Sequence, residues 1–378
     1  MKTPFVYGIA ADKFHFTDRE EETRRLRMNF ENGINTIIIS PRRWGKTSLV
    51  NYVAEQFKAR KNIRVVKLDA FACRTPEDFY KMFATEIIRQ TATKAEEWVA
   101  NAKRFLSSLV PVVSVSSDPM NTFSLSMKIV DSNFTEEVLT LPERVATEKN
   151  LHIVVCIDEF QQIGEFTDSI TFQKKLRSVW QHQHKTSYCL FGSKRHLLMY
   201  MFQKSNYPFY KFGDVLFLER IPLPYWTKYI GSRFLEAGKK IDDSFISNIY
   251  DYVDGNSSYI QQLAWIVLTR TQQVVTEDIL LESELELIRQ NNALFYEQMN
   301  NMTSYQIRFL VALIEGNNQS LSRKESIEEF SLGSSANVAS LKKALQKKEI
   351  IDVYGNQTYF ADPLFPHWLK LNLQSFKL

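Results

Sequence analysis

The chain has 378 residues, of which 44% are hydrophobic and 24% are charged, and its formal net charge is +4. This length and apolar content are sufficient for two or three packed domains and exclude a disordered protein. The positive charge is small and spread along the sequence, so composition alone does not indicate nucleic-acid binding.

Membrane and disulfide-stabilised classes are not favoured either. No apolar run approaches the roughly twenty residues that a membrane-spanning helix needs, and the first residues lack the apolar segment of a signal peptide. The three cysteines, Cys73, Cys156 and Cys189, form no CxxC motif and no Cys/His cluster. We therefore expect a cytoplasmic protein without structural zinc and without a membrane partner.

The first informative pattern is a strand, a loop and a helix. Residues 35–40 (NTIIIS) read as a strand buried in a parallel sheet, and apolar residues at helical spacing follow Lys46. The loop between them, SPRRWGKTSLV, matches a phosphate-binding loop except that Ser40 stands where the first glycine is expected. Because the N-terminus of a helix attracts phosphate, this arrangement predicts a nucleotide site. The alternative is a chance Gly-Lys-Thr sequence after an apolar strand.

Each loop residue has a predicted role. Gly45 lets the backbone approach the phosphates, Lys46 supplies a cation to the β and γ phosphates, and Thr47 can bind Mg²⁺. Ser40 is compatible with this site if its φ angle is negative. The other loop residues predicted to contact the nucleotide are Arg42, Arg43, Trp44 and Ser48.

Residues 65–130 contain more structure than one strand and one helix require. VVKLDAFACRT reads as a strand, and PEDFYKMFATEIIRQTA and EEWVANAKRFLSSL read as amphipathic helices. The following segment alternates apolar and polar residues around Ser117-Asp118-Pro119, which predicts a β-hairpin inserted near residues 109–130.

A second buried strand ends in two acidic residues. In LHIVVCIDEFQQI, the apolar run stops at Asp158 and Glu159. Asp158 is predicted to hold magnesium and Glu159 to polarise the attacking water. The alternative is that both residues only cap the next helix; their combination with the phosphate-binding loop favours the catalytic interpretation.

A further strand, SYCLFGSKRHLL, ends at Gly192-Ser193. Ligands of open α/β sheets bind beyond the carboxyl ends of the strands, so Ser193 is the candidate that contacts the γ-phosphate, with Ser187 as a second candidate. A simple strand-to-helix turn explains the Gly-Ser pair equally well.

The last third of the sequence predicts two smaller domains. Residues 225–300 have a helical pattern, and residues 301–378 read as three short helices followed by two strands around Gly355-Asn356, the order of a winged helix. Its third helix carries four lysines that DNA phosphates could contact: Lys342, Lys343, Lys347 and Lys348. Because several glutamates precede them, a solvated face of a protein-interaction domain is the favoured alternative.

Together, these segments resemble the archaeal-type P-loop ATPases of the AAA+/STAND group, including their bacterial members. The likeness is carried by PFVYGIAADKFHFTDREEETRRL, SPRRWGKTSLV, VVCIDEFQQI, LFGSKRHLL and NYPFYKFGDVLFLERIPL, and it covers roughly residues 4–270. The resemblance implies an ATPase core with a helical lid, ATP or ADP and Mg²⁺ as ligands, and an adenine site near Phe5, Val6, Phe16 and Arg19.

The resemblance also raises the question of a neighbouring subunit. Many relatives place an arginine in the segment where this chain has Lys211, and Arg220 follows nine residues later. Lysine lacks the planar fork of arginine, so an arginine finger, and with it self-association, stays open.

The predicted fold class is α/β: a P-loop NTPase parallel sheet with helices on both faces, a small helical lid and a C-terminal winged helix. The predicted boundaries are 1–224 for the ATPase core, 225–300 for the lid and 301–378 for the winged helix. The favoured function is a slowly hydrolysing, ATP-dependent molecular switch that acts on an unidentified protein partner. The alternatives are an initiator-like ATPase that binds DNA through the winged helix, and a non-catalytic ATP/ADP-binding interaction module.

Overall fold

The computed structural model describes residues 3–92, 96–107, 109–115, 123–129, 134–319 and 321–373. The chain divides into two compact units, residues 19–219 and residues 1–18 together with 220–378. We call them the core unit and the second unit.

The core unit is built on a parallel sheet of five strands in the order β2-β5-β6-β1-β7. The strands of this unit are β1 (Thr36–Ile39), β2 (Ile63–Asp69), β3 (Leu109–Val115), β4 (Phe123–Ile129), β5 (His152–Asp158), β6 (Thr186–Gly192) and β7 (Asp214–Phe217). Residues 153–157 of β5 are all buried, which requires cover on both faces of the sheet. The predicted parallel P-loop sheet is confirmed.

Seven α-helices and a short 3-10 helix surround the described sheet. They are α1 (Glu20–Glu31), α2 (Lys46–Phe57), α3 (Pro76–Thr91), α4 (Glu96–Phe105), α5 (Phe134–Lys149), the 3-10 helix Phe160–Glu165, α6 (Ser169–Trp180) and α7 (Arg195–Gln203). Helix α3 shows how the sequence sets such a boundary. The Thr75 hydroxyl accepts from the Asp78 N–H at 3.2 Å, and the Asp78 carboxylate accepts from the Thr75 N–H at 3.0 Å, with Pro76 in the first turn.

Strands β3 and β4 pair in antiparallel register, from Leu109 opposite Ile129 to Val115 opposite Phe123. This is the pairing that the alternating pattern predicts. The turn residues Ser117-Asp118-Pro119 lie outside the described residues.

Polar contacts fix helix α1 to the sheet near the amino ends of its strands. Asn29 is buried, and its Nδ2 donates to Thr36 Oγ1 at 3.1 Å and to Asp214 Oδ2 at 2.8 Å. Arg25 Nε donates to the same Asp214 oxygen at 2.8 Å. These contacts tie α1 to the first residues of β1 and β7.

The second unit is mainly helical. Its elements are α8 (Leu223–Glu236), α9 (Asp243–Tyr252), α10 (Ser257–Arg270), α11 (Glu277–Gln290), α12 (Asn292–Asn300), α13 (Ser304–Ile314), α14 (Lys324–Glu329), α15 (Ser335–Lys347), β8 (Ile351–Tyr354), β9 (Gln357–Phe360) and α16 (Phe365–Asn372). Strands β8 and β9 pair antiparallel after three helices, so the predicted winged helix is confirmed. Within the described ranges, no helix combines the length and the apolar character needed to cross a membrane.

The first residues of the chain pack on helices α8 and α10 of the second unit. The Phe5 ring is buried, with its centroid 6.0 Å from that of Tyr229 and 6.3 Å from that of Phe234. The Val6 N–H donates to Gln261 Oε1 at 3.0 Å. The Arg233 guanidinium lies 3.8 Å from the Phe14 ring centroid and donates to the Phe14 carbonyl at 2.7 Å. This N-terminal segment is therefore part of the packed structure of the second unit.

Candidate functional site

The loop between β1 and α2 has the backbone of a phosphate-binding loop. Gly45, immediately before α2, has φ of +90° and ψ of +18°, a left-handed conformation that glycine adopts without strain. Arg43 also has a positive φ, of +65°. Ser40 is not among the residues with positive φ, so the condition set for it by the sequence is met. The helix then begins at Lys46, so the loop leads directly into a helix N-terminus, the end of a helix that attracts anions.

Lys46 is held inside this loop. Only 6% of the residue is exposed, and its Nζ donates to the carbonyls of Pro41 at 2.8 Å and Ser40 at 3.3 Å. Burial lowers the pKa of Lys46 to about 8, although the nearby Glu159 and Asp158 carboxylates favour its charged form. The ammonium group therefore has carbonyl partners that phosphate oxygens can replace.

The two predicted magnesium ligands are adjacent. Thr47 Oγ1 donates to Asp158 Oδ2 at 2.7 Å, which links the start of α2 to the end of β5. Burial raises the pKa of Asp158, and hydrogen bonds from Thr47 and from the Glu159 N–H partly offset the rise. A hydroxyl and a carboxylate are oxygen donors of the kind that Mg²⁺ prefers, so the residues present fit the metal.

Glu159 lies at the same edge of the sheet, and one of its two carboxylate oxygens accepts hydrogen bonds from neighbouring residues. Its φ is +49°, in the left-handed region, directly before the 3-10 helix. Glu159 Oε2 accepts from Ser193 Oγ at 3.0 Å, from the Ser193 N–H at 3.3 Å and from Gln161 Nε2. Strand β6, which ends at Gly192, lies between β1 and β5 in the sheet, so Ser193 follows the strand between the loop and the acidic pair.

Comparisons with known proteins agree with this geometry. Residues 16–196 match a family model described as an ATPase domain predominantly from Archaea. Residues 293–371 match a model described as a probable winged helix domain.

Residues 16–196 thus form an archaeal-type ATPase domain.

Several solved structures share the fold of the whole chain. A Walker-type ATPase of Pyrococcus abyssi is 17% identical, with 97% of this chain and 100% of that chain covered and a TM-score of 0.68. ORC2 of Aeropyrum pernix, in ADPNP-ADP complexes, is 15% identical, with 96% and 97% covered and a TM-score of 0.55. ORC1 of Aeropyrum pernix, in complex with DNA, is 13% identical, with 96% and 94% covered and a TM-score of 0.50. No curated protein sequence matches the chain.

The other predicted loop residues lie around the phosphate-binding loop of the ATPase domain. Arg42 and Arg43 are exposed, Trp44 is partly exposed and Ser48 is buried in the first turn of α2. Arg19 is 4% exposed, and its guanidinium donates to the Trp44 carbonyl at 3.3 Å and to Glu22 Oε1 at 2.7 Å. Arg19 thus belongs to the surroundings of the loop.

The remaining adenine candidates, Phe5, Val6 and Phe16, belong to the second unit. The Phe5 ring packs against helix α8, and the Val6 N–H is bonded to Gln261. Their contribution to adenine binding stays a prediction.

Ser187 is not near the acidic pair. It lies at the start of β6, paired with Val154 of β5, and its Oγ is 2.9 Å from His152 Nε2. The carboxyl end of β6 is reached only at Gly192, so Ser193 joins Glu159 and Ser187 does not.

The two candidates for a contact with a neighbouring subunit differ in their surroundings. Lys211 is exposed and has a positive φ, of +53°. Arg220 Nη2 donates to Asp254 within the second unit. Arg220 therefore already has an ionic partner.

Sequence reasoning missed one residue of the site, Gln161. It is 2% exposed and bonds the Glu159 carboxylate directly. The available signal was its position two residues after the acidic pair, inside a segment quoted for its family likeness.

Proposed function

We propose that this protein binds ATP with Mg²⁺ at the β1–α2 loop, hydrolyses it slowly, and uses the nucleotide state as a molecular switch. The observation that carries the proposal is the 2.7 Å hydrogen bond between Thr47 and Asp158, beside the buried Lys46. It brings together, from two separate strand ends, the groups that hold a metal and a triphosphate in P-loop ATPases.

The residues of the loop bind and orient the triphosphate. The N–H groups at the start of α2 and the left-handed Gly45 face the phosphates, and Lys46 exchanges its carbonyl partners for phosphate oxygens. Thr47 and Asp158 hold Mg²⁺, which when bound neutralises charge on the phosphates. Glu159 accepts a proton from the attacking water, and Ser193 responds to the γ-phosphate. Arg19, which bonds the Trp44 carbonyl of the loop, contributes to the adenine side of the site.

The binding half of this proposal is tested at Lys46. Lys46→Ala should abolish Mg-ATP binding in calorimetry, because the buried cation is lost from the phosphates. Lys58→Ala, at the exposed end of the same helix, is the matched control and should bind normally. Unchanged affinity in Lys46→Ala would show that the nucleotide binds elsewhere.

The catalytic half is tested at Glu159. Glu159→Gln should keep ATP affinity and lose phosphate release by roughly 10²- to 10⁴-fold, the usual contribution of general-base catalysis. Glu165→Gln, in the exposed part of the following 3-10 helix, is the control. A wild-type protein that binds ATP and never releases phosphate would instead be the non-catalytic interaction module.

The switch needs a partner, and the winged helix is the proposed surface for it. Lys348 Nζ donates to Gln306 Oε1 at 3.0 Å and to the Asn301 carbonyl, so this lysine is used inside the domain. Burial lowers the pKa of Lys342, while Lys343 and Lys347 are exposed. Lys348 is exposed as well, but its ammonium is bonded within the domain, so two lysines are left for phosphate contacts. This is a small footprint for duplex DNA, which supports a protein partner.

DNA binding is the second candidate function. It is supported by the match of residues 293–371 to a winged helix model and by the fold likeness to an ORC1 protein whose structure is in complex with DNA. Exposed Lys343 and Lys347 on α15 would be the phosphate contacts in that case.

A further inference from the structure

Gln161 holds the carboxylate that the proposed function uses as a base. Its side-chain Nε2 donates to Glu159 Oε2, the same oxygen that accepts from the hydroxyl and the N–H of Ser193. One carboxylate oxygen therefore receives three hydrogen bonds. Glu159 Oε1 makes no hydrogen bond to the described residues and stays available to a water molecule.

The end of strand β6 is shaped around this amide. A Cβ atom added to Gly192 would lie 1.7 Å from Gln161 Oε1 and 2.8 Å from its Cδ, closer than real Cβ atoms come. The φ of Gly192 is not in the left-handed region, so its backbone would accept any residue. Glycine is needed at position 192 because the Gln161 side chain occupies the space.

The orientation of the amide follows from its partners. Only the NH₂ end of a glutamine can donate to a carboxylate, so Nε2 must face Glu159 and Oε1 must face Gly192. Gln161 Oε1 is buried and has no hydrogen-bond partner among the described residues. A buried carbonyl without a partner is unfavourable, and such exceptions in folded proteins call for an explanation. Here the explanation is the bond that the other end of the amide makes.

We propose that Gln161 is a positioning residue for Glu159, held in place by the glycine at the end of β6. It fixes one carboxylate oxygen so that the other faces the attacking water. The inference rests on the proposed function, because it takes Glu159 to be the base. The same contacts could instead hold the carboxylate away from the water. In that case, loss of the Gln161 amide would raise kcat rather than lower it.

The first test removes the donor. Gln161→Ala and the similarly long Gln161→Met should lower kcat roughly 10- to 100-fold, the size expected when a reacting group is misplaced by about an ångström. ATP affinity and the melting temperature should change little. Gln162→Ala, whose amide bonds the exposed Glu165 instead, is the matched control. Full activity in Gln161→Met would overturn the proposal, and so would a rise in kcat.

The second test reaches the same contact from the other strand. Gly192→Ala should lower kcat like Gln161→Ala, because the new methyl group displaces the amide. Gly164→Ala, where the nearest atom to an added Cβ is Met201 Sδ at 3.9 Å, is the control for a glycine substitution. In the double variant Gly192→Ala/Gln161→Ala, the losses should be clearly less than additive. Full additivity would contradict a shared contact.

The third measurement separates this inference from the proposed function. In a Glu159→Gln background, Gln161→Ala should cause no further loss in single-turnover hydrolysis, whereas a merely structural role would lower it again. If the wild-type protein does not hydrolyse ATP, the proposed function fails. If it does and Glu159→Gln is inactive while Gln161→Ala is fully active, only the positioning role fails.

Discussion

Ser40 replaces the first glycine of the phosphate-binding loop without altering the part of the loop that faces the phosphates. The positive φ angles fall at Arg43 and Gly45, and Ser40 itself is buried with its hydroxyl 3.2 Å from the Pro41 carbonyl. The departure from the usual motif is therefore tolerated for a conformational reason.

This account predicts different effects of two loop substitutions on the affinity for Mg-ATP. Ser40→Gly should change Mg-ATP affinity less than twofold. Gly45→Ala should weaken it about tenfold, since a left-handed angle costs an L-residue roughly 1–2 kcal/mol. An added Cβ at Gly45 meets nothing within 4 Å, so a measured loss reports backbone strain rather than a clash. Calorimetric titration of both variants checks this, and equal affinities would contradict it.

A pH-dependent contribution to stability is expected at Glu284 on α11. Burial raises the pKa of Glu284 to about 7, above the value of 4.5 that it has when unfolded. The folded state therefore binds the proton more tightly, and the stability this provides is complete below pH 4.5 and lost as pH rises through 7. Glu284→Gln should raise the melting temperature relative to wild type at pH 8 and make little difference at pH 4.5.

Thermal unfolding of both proteins across this range gives the comparison. Glu282→Gln, an exposed position on the same helix, controls for the loss of a charge. A difference between Glu284→Gln and wild type that is independent of pH would refute the assignment.

The candidate phosphate and metal residues could be named from the sequence because each follows a recognisable buried strand, either directly or after the loop at residues 40–45. Lys46, Thr47, Asp158, Glu159 and Ser193 were placed in this way, and the structure brings them to one edge of the sheet. Gln161 was not, since its role depends on the space above Gly192, a contact across 31 positions that no local pattern encodes. Ser187, the second candidate, is the first residue of the quoted strand SYCLFGSKRHLL, and the structure places it near the start of β6 beside His152.

At the scale of elements, the N-terminal segment was the least predictable. Its sequence resembles the lead-in to an ATPase core, yet Phe5 packs with Tyr229 and Phe234, more than 200 residues later. Local periodicity cannot reveal such a contact. The hairpin and the winged helix were predictable because alternation and turn residues determine them locally.

Phe5 should consequently matter to stability. Phe5→Ala removes a buried ring from the core of the second unit and should lower its stability by about 3–5 kcal/mol, measured by denaturant unfolding. Tyr7→Ala, at a 41% exposed position two residues away, is the control and should change stability by less than about 1 kcal/mol. Unchanged stability of Phe5→Ala would contradict the packing role. If the variant is fully folded without denaturant and still binds Mg-ATP more weakly than wild type, that result supports the adenine role predicted for Phe5.

For the whole molecule, the winged helix has two candidate partners, a protein and duplex DNA. We expect duplex binding to be weak at physiological salt and unaffected by Lys343→Ala/Lys347→Ala. If the two lysines do contact phosphates, the double variant should lose affinity, and the log–log salt slope should become shallower by roughly 2, at about 0.9 per contact. Titration with labelled duplex at several salt concentrations distinguishes the outcomes.

Lys348→Ala should be compared with the Lys343→Ala/Lys347→Ala variant in the same experiment. Because its ammonium bonds Gln306 and the Asn301 carbonyl, its removal should lower thermal stability and leave the salt slope unchanged. A steep slope lost only in the Lys343/Lys347 variant would establish the DNA-binding function and displace the protein-partner switch.

The second unit is assembled from both ends of the chain, residues 1–18 and 220–378. During synthesis on the ribosome, Phe5 emerges before the core unit, and its ring partners on α8 emerge only after all of the core unit has been made. Because the core unit is continuous in sequence, it can fold before the partners of the N-terminal segment have been synthesised. The second unit is completed only when residues that follow the core unit join those that precede it, so a chain truncated after residue 219 should show a protease-resistant core and a cleavable N-terminal segment.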